Sequence, residues 1–220
     1  MKIIVRVAEP PDAIYAEKIS QHIEAAAKAR GTGISKRPPE YIRRKITEGK
    51  AVIALNGRDF AGFCYIETWG HGEYIANSGL IVSPTYRAKG LATRIKKEAF
   101  KLSRKKYPKA KLFGITTSLA VMKINSDLGY KPVTFSELTT DEEFWNGCQS
   151  CPNFDILTRN QRRNCLCTGM LHDPNPKPEK EKKNSINVRE HIRKYERWLR
   201  LKQHAFLKKT IRKEPQLAKF

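Results

Sequence analysis

Residues Val82–Lys97 read VSPTYRAKGLATRIKK. The apolar run SGLIV (Ser78–Val82) leads into this stretch, and LATRIKKEAFKLSRKKY (Leu91–Tyr107) leads out with the spacing of a helix. A short basic turn with a single glycine therefore joins a strand to a helix. A helix N-terminus presents unpaired N–H groups and a partial positive charge, which suits a phosphate. Gly90 removes a Cβ where backbone must approach a ligand closely. Arg87 and Lys89 add mobile positive charge. The turn reads as a diphosphate cradle. It lacks the three glycines of the dinucleotide fingerprint and the Gly-Lys-Ser/Thr ending of a P-loop. The plainer alternative is a basic loop followed by a solvated first turn.

Upstream, KIIVRV (Lys2–Val7) is strand-like. PPDAIYAEKISQHIEAAAKARG follows as a helix, with Asp12 able to cap it, Ile14, Ile19, Ile23 and Ala26 marking one face, and Gly31 able to end it. A loop, GTGISKR, leads to PPEYIRRKITEG, a helix with prolines at its start and Gly49 just past its end. AVIAL and GFCYIET are strands divided by an Asn56-Gly57 hairpin signal, and EYIANSGLIV is the next strand. Downstream of the helix, KLFGITT is a strand, SLAVMKINSDLG a helix and YKPVTFSEL a strand. The order β-α-α-β-β-β-α-β-α-β, a hairpin meander followed by crossovers, predicts an α/β (α+β) domain over 1–138. Its one mixed sheet carries helices on both faces.

The 220 residues and 40% hydrophobic content suffice for one core and an appendage. No run approaches the roughly 18 apolar residues of a membrane span. MKIIVRVAEPP is too short for a secretory signal, so a cytoplasmic home is expected. The net charge is +21, which invites an anionic partner. About half of it belongs to residues 177–220, which hold fifteen Lys/Arg against five Asp/Glu.

Val82-Ser83-Pro84 followed by Arg87-Ala88-Lys89-Gly90-Leu91-Ala92 resembles motif A of the GNAT acyltransferases. Leu128-Gly129-Tyr130 is similar to the Leu-Gly-Phe that closes motif B, and the element order from Ile3 to Leu138 resembles that fold. The resemblance implies a splayed central sheet and an acetyl-CoA cosubstrate. The amides from Arg87 to Ala92 would hold its pyrophosphate, and the exposed backbone of Leu80, Ile81 and Val82 would pair with its pantetheine arm. It further implies an N-acetyltransferase, and an N-acetylglutamate-synthase-like member is the first to consider. A protein or antibiotic acetyltransferase is an alternative, as is a non-catalytic scaffold that binds nucleic acid, the ribosome or a protein partner through its basic tail.

Many members carry a proton-donating Tyr five residues before the motif B Phe. Here that count lands on Asn125, which can donate a hydrogen bond to sulfur but no proton. A thiolate can also leave unprotonated, since thiol pKa values lie near 8.5. Asn125 is otherwise an ordinary helix residue. A base is often a carboxylate on the strand before motif A, where this chain has Asn77 and Ser78. Glu73 and Glu67, at hairpin ends, could act through water, and His71 is a third candidate. All three also read as solvated turn residues. The family's acceptor pocket lies between the first two helices and the central strands. Lys36, Arg37, Arg43 and Arg44 fall there. Arg37 and Arg43 suit an acidic amine such as an amino acid, because guanidinium grips carboxylate in bidentate fashion. A merely solvated basic face is equally consistent.

Segment 139–175 reads as an extension. Its Cys148, Cys151, Cys165 and Cys167 are spaced C-x2-C-x13-C-x-C, suited to a structural zinc with His172 able to replace one ligand. Arg159, Arg162 and Arg163 would favour thiolates. A redox disulfide or four buried structural thiols are alternatives. Cys64 stands alone in a strand. Residues 176–220 read as a polar linker and an amphipathic helix with Val188, Ile192, Tyr195, Leu199 and Phe206 along a stripe, widened by Trp198 and Leu201. That helix suits docking on the core or in a homodimer, or a contact with nucleic-acid backbone.

Overall fold

The computed structural model of the chain describes residues 3–31 and 37–176, together with residues 193, 196, 197 and 200. It forms two compact units, Met1–Asn175 and Pro176–Phe220. In the second, the described Arg193, Glu196, Arg197 and Arg200 are helical and exposed. The stripe expected there lies outside the described residues. Among the described residues no helix is long and apolar enough to cross a membrane.

The first unit is built on a seven-stranded sheet. Its strands are β1 (Ile4–Val7), β2 (Ala51–Asn56), β3 (Asp59–Trp69), β4 (Tyr74–Val82), β5 (Lys111–Thr116), β6 (Lys131–Val133) and β7 (Thr168–His172), and they lie in the order β1-β2-β3-β4-β5-β7-β6. All neighbours pair antiparallel except β4 and β5, which are parallel and joined through α3 (Leu91–Lys106). This mixed sheet with helices on both faces is the expected α/β architecture.

Strand alternation sends residues to two cores. On one face Ile42 and Ile46 of α2 (Pro39–Thr47) and Ile19 and Ile23 of α1 (Ala16–Arg30) meet Ile53, Phe63, Tyr65 and Ile81. On the other, Leu91, Ile95, Ala99 and Leu102 of α3 meet Ile66, Ile75, Leu112, Tyr130 and Met170, with Met122 of α4 (Leu119–Asp127) alongside. The α1–α2 pair and the α3–α4 pair thus cover opposite faces.

Three local readings change. Asp12 does not cap a long helix. It sits in a 3-10 turn (Pro10–Tyr15) that precedes α1, where it accepts two bonds from Arg6 at 2.6 and 2.9 Å and one from the Glu9 amide. Ile14, expected on the apolar face, is 80% exposed because that turn breaks the helical phase. The strand expected over 130–138 ends at Val133, where Thr134 and Glu137 close a capping box around a further 3-10 turn.

Segment 139–175 is integral to the sheet. Its β7 lies between β5 and β6. Trp145 of α5 (Glu142–Asn146) and Leu157 of α6 (Phe154–Arg159) pack with Phe113, Phe135 and Leu138 in a third core. The Trp145 indole donates to the Thr139 carbonyl at 2.9 Å, and the Gly70 amide donates to Asp141 at 2.8 Å.

Candidate active site

The parallel pairing of β4 with β5 lasts three residues, from Tyr74–Ala76 against Lys111–Phe113. Beyond it β5 continues against β7, while Asn77–Val82 keep only β3. One edge of β4 is therefore open from Asn77 onward. A bulge helps turn it away. Phe63 pairs with Ile81 but Tyr65 with Ser78, so β4 carries one residue more than β3 there. Gly79 supplies it, with φ +64°, and a Cβ at this position would collide with the Tyr65 ring.

The open edge runs into the predicted cradle. Ala88 and Gly90 both have positive φ, at 59° and 68°. Gly90 caps α3 with no side-chain hydrogen bond, and the first intrahelical bond runs from the Arg94 amide to the Gly90 carbonyl. The amides of Leu91, Ala92 and Thr93 thus lack intrahelical acceptors. A Cβ built on Gly90 would meet no atom within 4 Å. Arg87, Ala88, Lys89 and Gly90 are exposed, and Arg87 Nε donates to the Val82 carbonyl at 3.2 Å. The residues fit a pyrophosphate, with free amides, open space and positive charge. Leu80 and Val82 direct side chains into the α3–α4 core and Ile81 into the α1–α2 core, leaving their backbone at the open edge.

On the α1–α2 face, close to the point of divergence, Glu67 of β3 pairs with Ala76 and turns toward α2. Lys45 Nζ lies 2.5 Å from its Oε1, with side-chain exposures of 6% and 14%. Burial pushes the Glu67 carboxyl up to about 7 and the Lys45 ammonium down to about 8. Their contact opposes both displacements and favours the ion pair. Arg37 acts on the Glu67 carboxylate and lowers its pKa in part. Its Nε donates to the Tyr65 hydroxyl at 2.9 Å, and its guanidinium lies over the Tyr41 ring.

Other sequence candidates lie elsewhere. Arg43 is held at the surface by Glu17 and Glu40, each at 3.1 Å. Glu73 and His71 are exposed at the β3–β4 turn, on the far side of the paired segment from the cradle. Asn125 sits on α4 and is 2% exposed, with Nδ2 donating to Met170 Sδ at 3.6 Å and Oδ1 unpartnered.

Cys148, Cys151, Cys165 and Cys167 are free and half-buried. They lie near one another, and the Cys167 amide donates to Cys165 Sγ at 3.3 Å. Among the described residues no group of three or more His, Cys, Asp or Glu is placed to hold a metal ion, so the zinc expectation gains no support. For Cys148 and Cys167 the thiolate expectation is overturned. Burial, then the neighbouring thiols, push Cys148 up to about 11 and Cys167 up to about 12. Arg162 counters this only in part at Cys148; it is engaged with Glu142, as Arg159 is with Asp155. His172 packs against Phe100, ring centroids 5.0 Å apart, instead of joining the thiols.

Sequence reasoning passed over Lys45, Tyr65 and Lys96. The signal for Lys45 was its place one turn from Ile42 on the apolar stripe of α2. Lys96 likewise stands one turn before Ala99 and two before Ser103, on the buried side of α3.

Residues 17–121 match the family model described as acetyltransferase (GNAT) family. That segment is similar to the GNAT acetyltransferases. No curated protein sequence matches it significantly. Among solved structures, N-acetylglutamate synthase from Neisseria gonorrhoeae, complexed with coenzyme A and N-acetyl-glutamate, superposes with a TM-score of 0.55 at 16% identity. The match covers 80% of this chain but 36% of that one, so this chain spans about a third of that protein's length. YncA, a putative acetyltransferase from Salmonella typhimurium with its cofactor acetyl-CoA, gives a TM-score of 0.55 at 13% identity over 83% of this chain and 99% of its own. A Mycobacterium tuberculosis protein in complex with CoA gives 0.54 at 12% identity, over 77% and 98%. At these identities the likeness is one of fold.

Proposed function

We propose that the chain transfers an acyl group from a CoA thioester to the primary amine of a small acidic molecule, an amino acid of the glutamate type. The observation that carries the proposal is the divergence of β4 from β5, whose open edge ends at the Arg87–Ala92 cradle. The cradle amides and Lys89 would bind the pyrophosphate, and the backbone of Leu80–Val82 the amide-rich arm. The bound thioester supplies the activated acyl carbon.

This chain's residues would supply the rest from the α1–α2 face. Glu67, with a pKa of about 7, is poised to take the amine proton near neutrality, directly or through one water. Lys45 keeps it ionised and aimed. Amide donors on the β4 edge beyond the bulge are available to a developing oxyanion. The Asn125 amide is enclosed against Met170, and the thiolate departs unprotonated. Arg37 and Lys45, flanking Tyr41, make this face attractive to an acceptor carboxylate. The Neisseria fold relative, solved with N-acetyl-glutamate, supports the acidic acceptor. Arg43 is left out because it is already engaged with two carboxylates.

The test is thiol release from acetyl-CoA across a panel of acidic, neutral and basic amino acids. Turnover restricted to, or at least tenfold faster with, acidic acceptors is expected. Release with no amine, or with all of them equally, would remove the acceptor assignment.

A further inference from the structure

On the α3–α4 face a second lysine is buried at the same divergence. Lys96 is 2% exposed. Its Nζ donates to the Asn77 carbonyl at 3.2 Å and lies 5.9 Å from the Tyr130 ring centroid. Asn77 is the first β4 residue past the pairing with β5. Unlike Lys45, Lys96 forms no ion pair with a carboxylate among the described residues, and a buried ammonium without an anion is costly. Burial accordingly lowers its pKa.

The surrounding groups are hydrogen-bond donors in want of an acceptor. Asn77 Nδ2 and the Tyr130 hydroxyl are buried and unpartnered, while Asn77 Oδ1 is already bonded to Ser103. Space adjoins them. Gly114 is the first β5 residue past the pairing, it shares a sheet face with Leu112, and a Cβ added to it would meet nothing within 4 Å. Asn77 faces the same side, since it bonds Ser103 of α3. β4 ends at Val82, five residues up from Asn77 and about 16 Å at the rise of a strand, and the cradle follows it. An arm extended from the cradle down the open edge therefore delivers its end here.

We infer that the space over Gly114 receives the acyl group, and that Lys96 and Asn77 Nδ2 at its floor hold a carboxylate at the far end of that group. The favoured donor is then the CoA thioester of a short dicarboxylic acid. A carboxylate offers the several lone pairs that this donor set lacks, and it supplies the charge that Lys96 is missing. The inference rests on the acyl-CoA reading given above and extends it to the choice of donor.

Calorimetric titration of the full chain with free CoA, acetyl-CoA, butyryl-CoA and succinyl-CoA separates the two levels. The parent should bind succinyl-CoA about tenfold or more tighter than butyryl-CoA, its uncharged counterpart of equal chain length. Lys96→Met, which keeps bulk and removes a buried charge, should erase that preference and leave free CoA and acetyl-CoA within about threefold. Gly114→Leu should weaken both four-carbon donors about tenfold and spare free CoA. Equal or tighter binding of butyryl-CoA by the parent overturns the inference while the acyl-CoA reading stands. So does a preference that survives Lys96→Met. Loss of all thioesters alike in Lys96→Met would make the lysine part of general thioester binding and also overturn it. If not even free CoA binds the parent, both readings fall.

Discussion

Replacing Gly79 by alanine should cost far more than replacing a glycine in a strand ordinarily does. Two independent terms add. The residue sits at φ +64°, where an L side chain costs about 1–2 kcal/mol. The new Cβ would also lie 2.7 Å from Tyr65 Cδ1 and closer still to Cε1. Tyr65 cannot swing aside cheaply. It is 1% exposed, its hydroxyl is held by Arg37, and Tyr41 packs edge-on against it at 5.6 Å. Overpacking of this kind costs roughly 1–3 kcal/mol. The sum is about 2–5 kcal/mol, a large share of a typical domain's stability. Urea unfolding of parent and variant measures it, and a cycle with Tyr65→Ala apportions it, because removing the ring should recover the packing part and leave the backbone part. Gly114→Ala is the internal control, since its Cβ enters open space. A loss below 1 kcal/mol for Gly79→Ala, or no coupling to Tyr65, would refute the account of how β4 is bent away from β5.

Gly90→Glu should abolish binding of free CoA by calorimetry while the fold survives, because it sets a carboxylate in the cradle. Undiminished binding would move the pyrophosphate elsewhere. With Glu67 as the proposed base, activity should rise as pH increases through about 7, where its carboxyl loses its proton. Glu67→Gln should lower kcat/KM by roughly 10²–10⁴ and remove that acid limb. Lys45→Met should move the limb to higher pH, because the cation that favours the carboxylate is gone; a limb that persists in Glu67→Gln belongs to another group. Arg37→Ala should raise KM for an acidic acceptor by an amount equivalent to about 2–5 kcal/mol, as for a buried charge pair. Arg43→Ala removes exposed ion pairs worth about 0–1 kcal/mol and should leave KM alone. Equal effects from the two would make the basic face a solvated surface only.

What the sequence disclosed depended on the range of the interactions involved. The cradle was legible because its parts, a strand end, a glycine and a helix start, are neighbours in the chain. Gly31 and Gly49 likewise end α1 and α2, both at positive φ, as local helix punctuation requires. The bulge at Gly79 was not legible, because its cause is a ring on another strand. Segment 139–175 looked like an appendage in need of a metal. Its strand β7 is five residues long and gains its place only by pairing on both sides, with β5 and with a three-residue β6. Cysteine spacing suggested ligands, whereas the protonation of Cys148 and Cys167 follows from burial beside Phe113 and Trp145, which spacing does not report. Counting back to Asn125 found the correct helix but not that its amide is enclosed against Met170.

The two lysines show the same limit at the centre of the site. In sequence, Lys45 and Lys96 are two among many in basic helices that would be expected to keep their ammonium groups in water. Each instead lies beneath the sheet where β4 leaves β5, one on either face. A buried ammonium must be compensated or neutralised. On the α1–α2 face compensation is built in, since Glu67 meets Lys45 and the resulting pair can take up and release a proton. On the α3–α4 face it is missing, and unpartnered donors surround Lys96 instead. A proton acceptor belongs on the side where the amine loses its proton. A cation awaiting an anion belongs on the side where a ligand brings one. Under the proposed acyl transfer, that asymmetry puts the acceptor on the α1–α2 face and the donor on the α3–α4 face. The cradle at the head of α3 lies on the side this assignment requires.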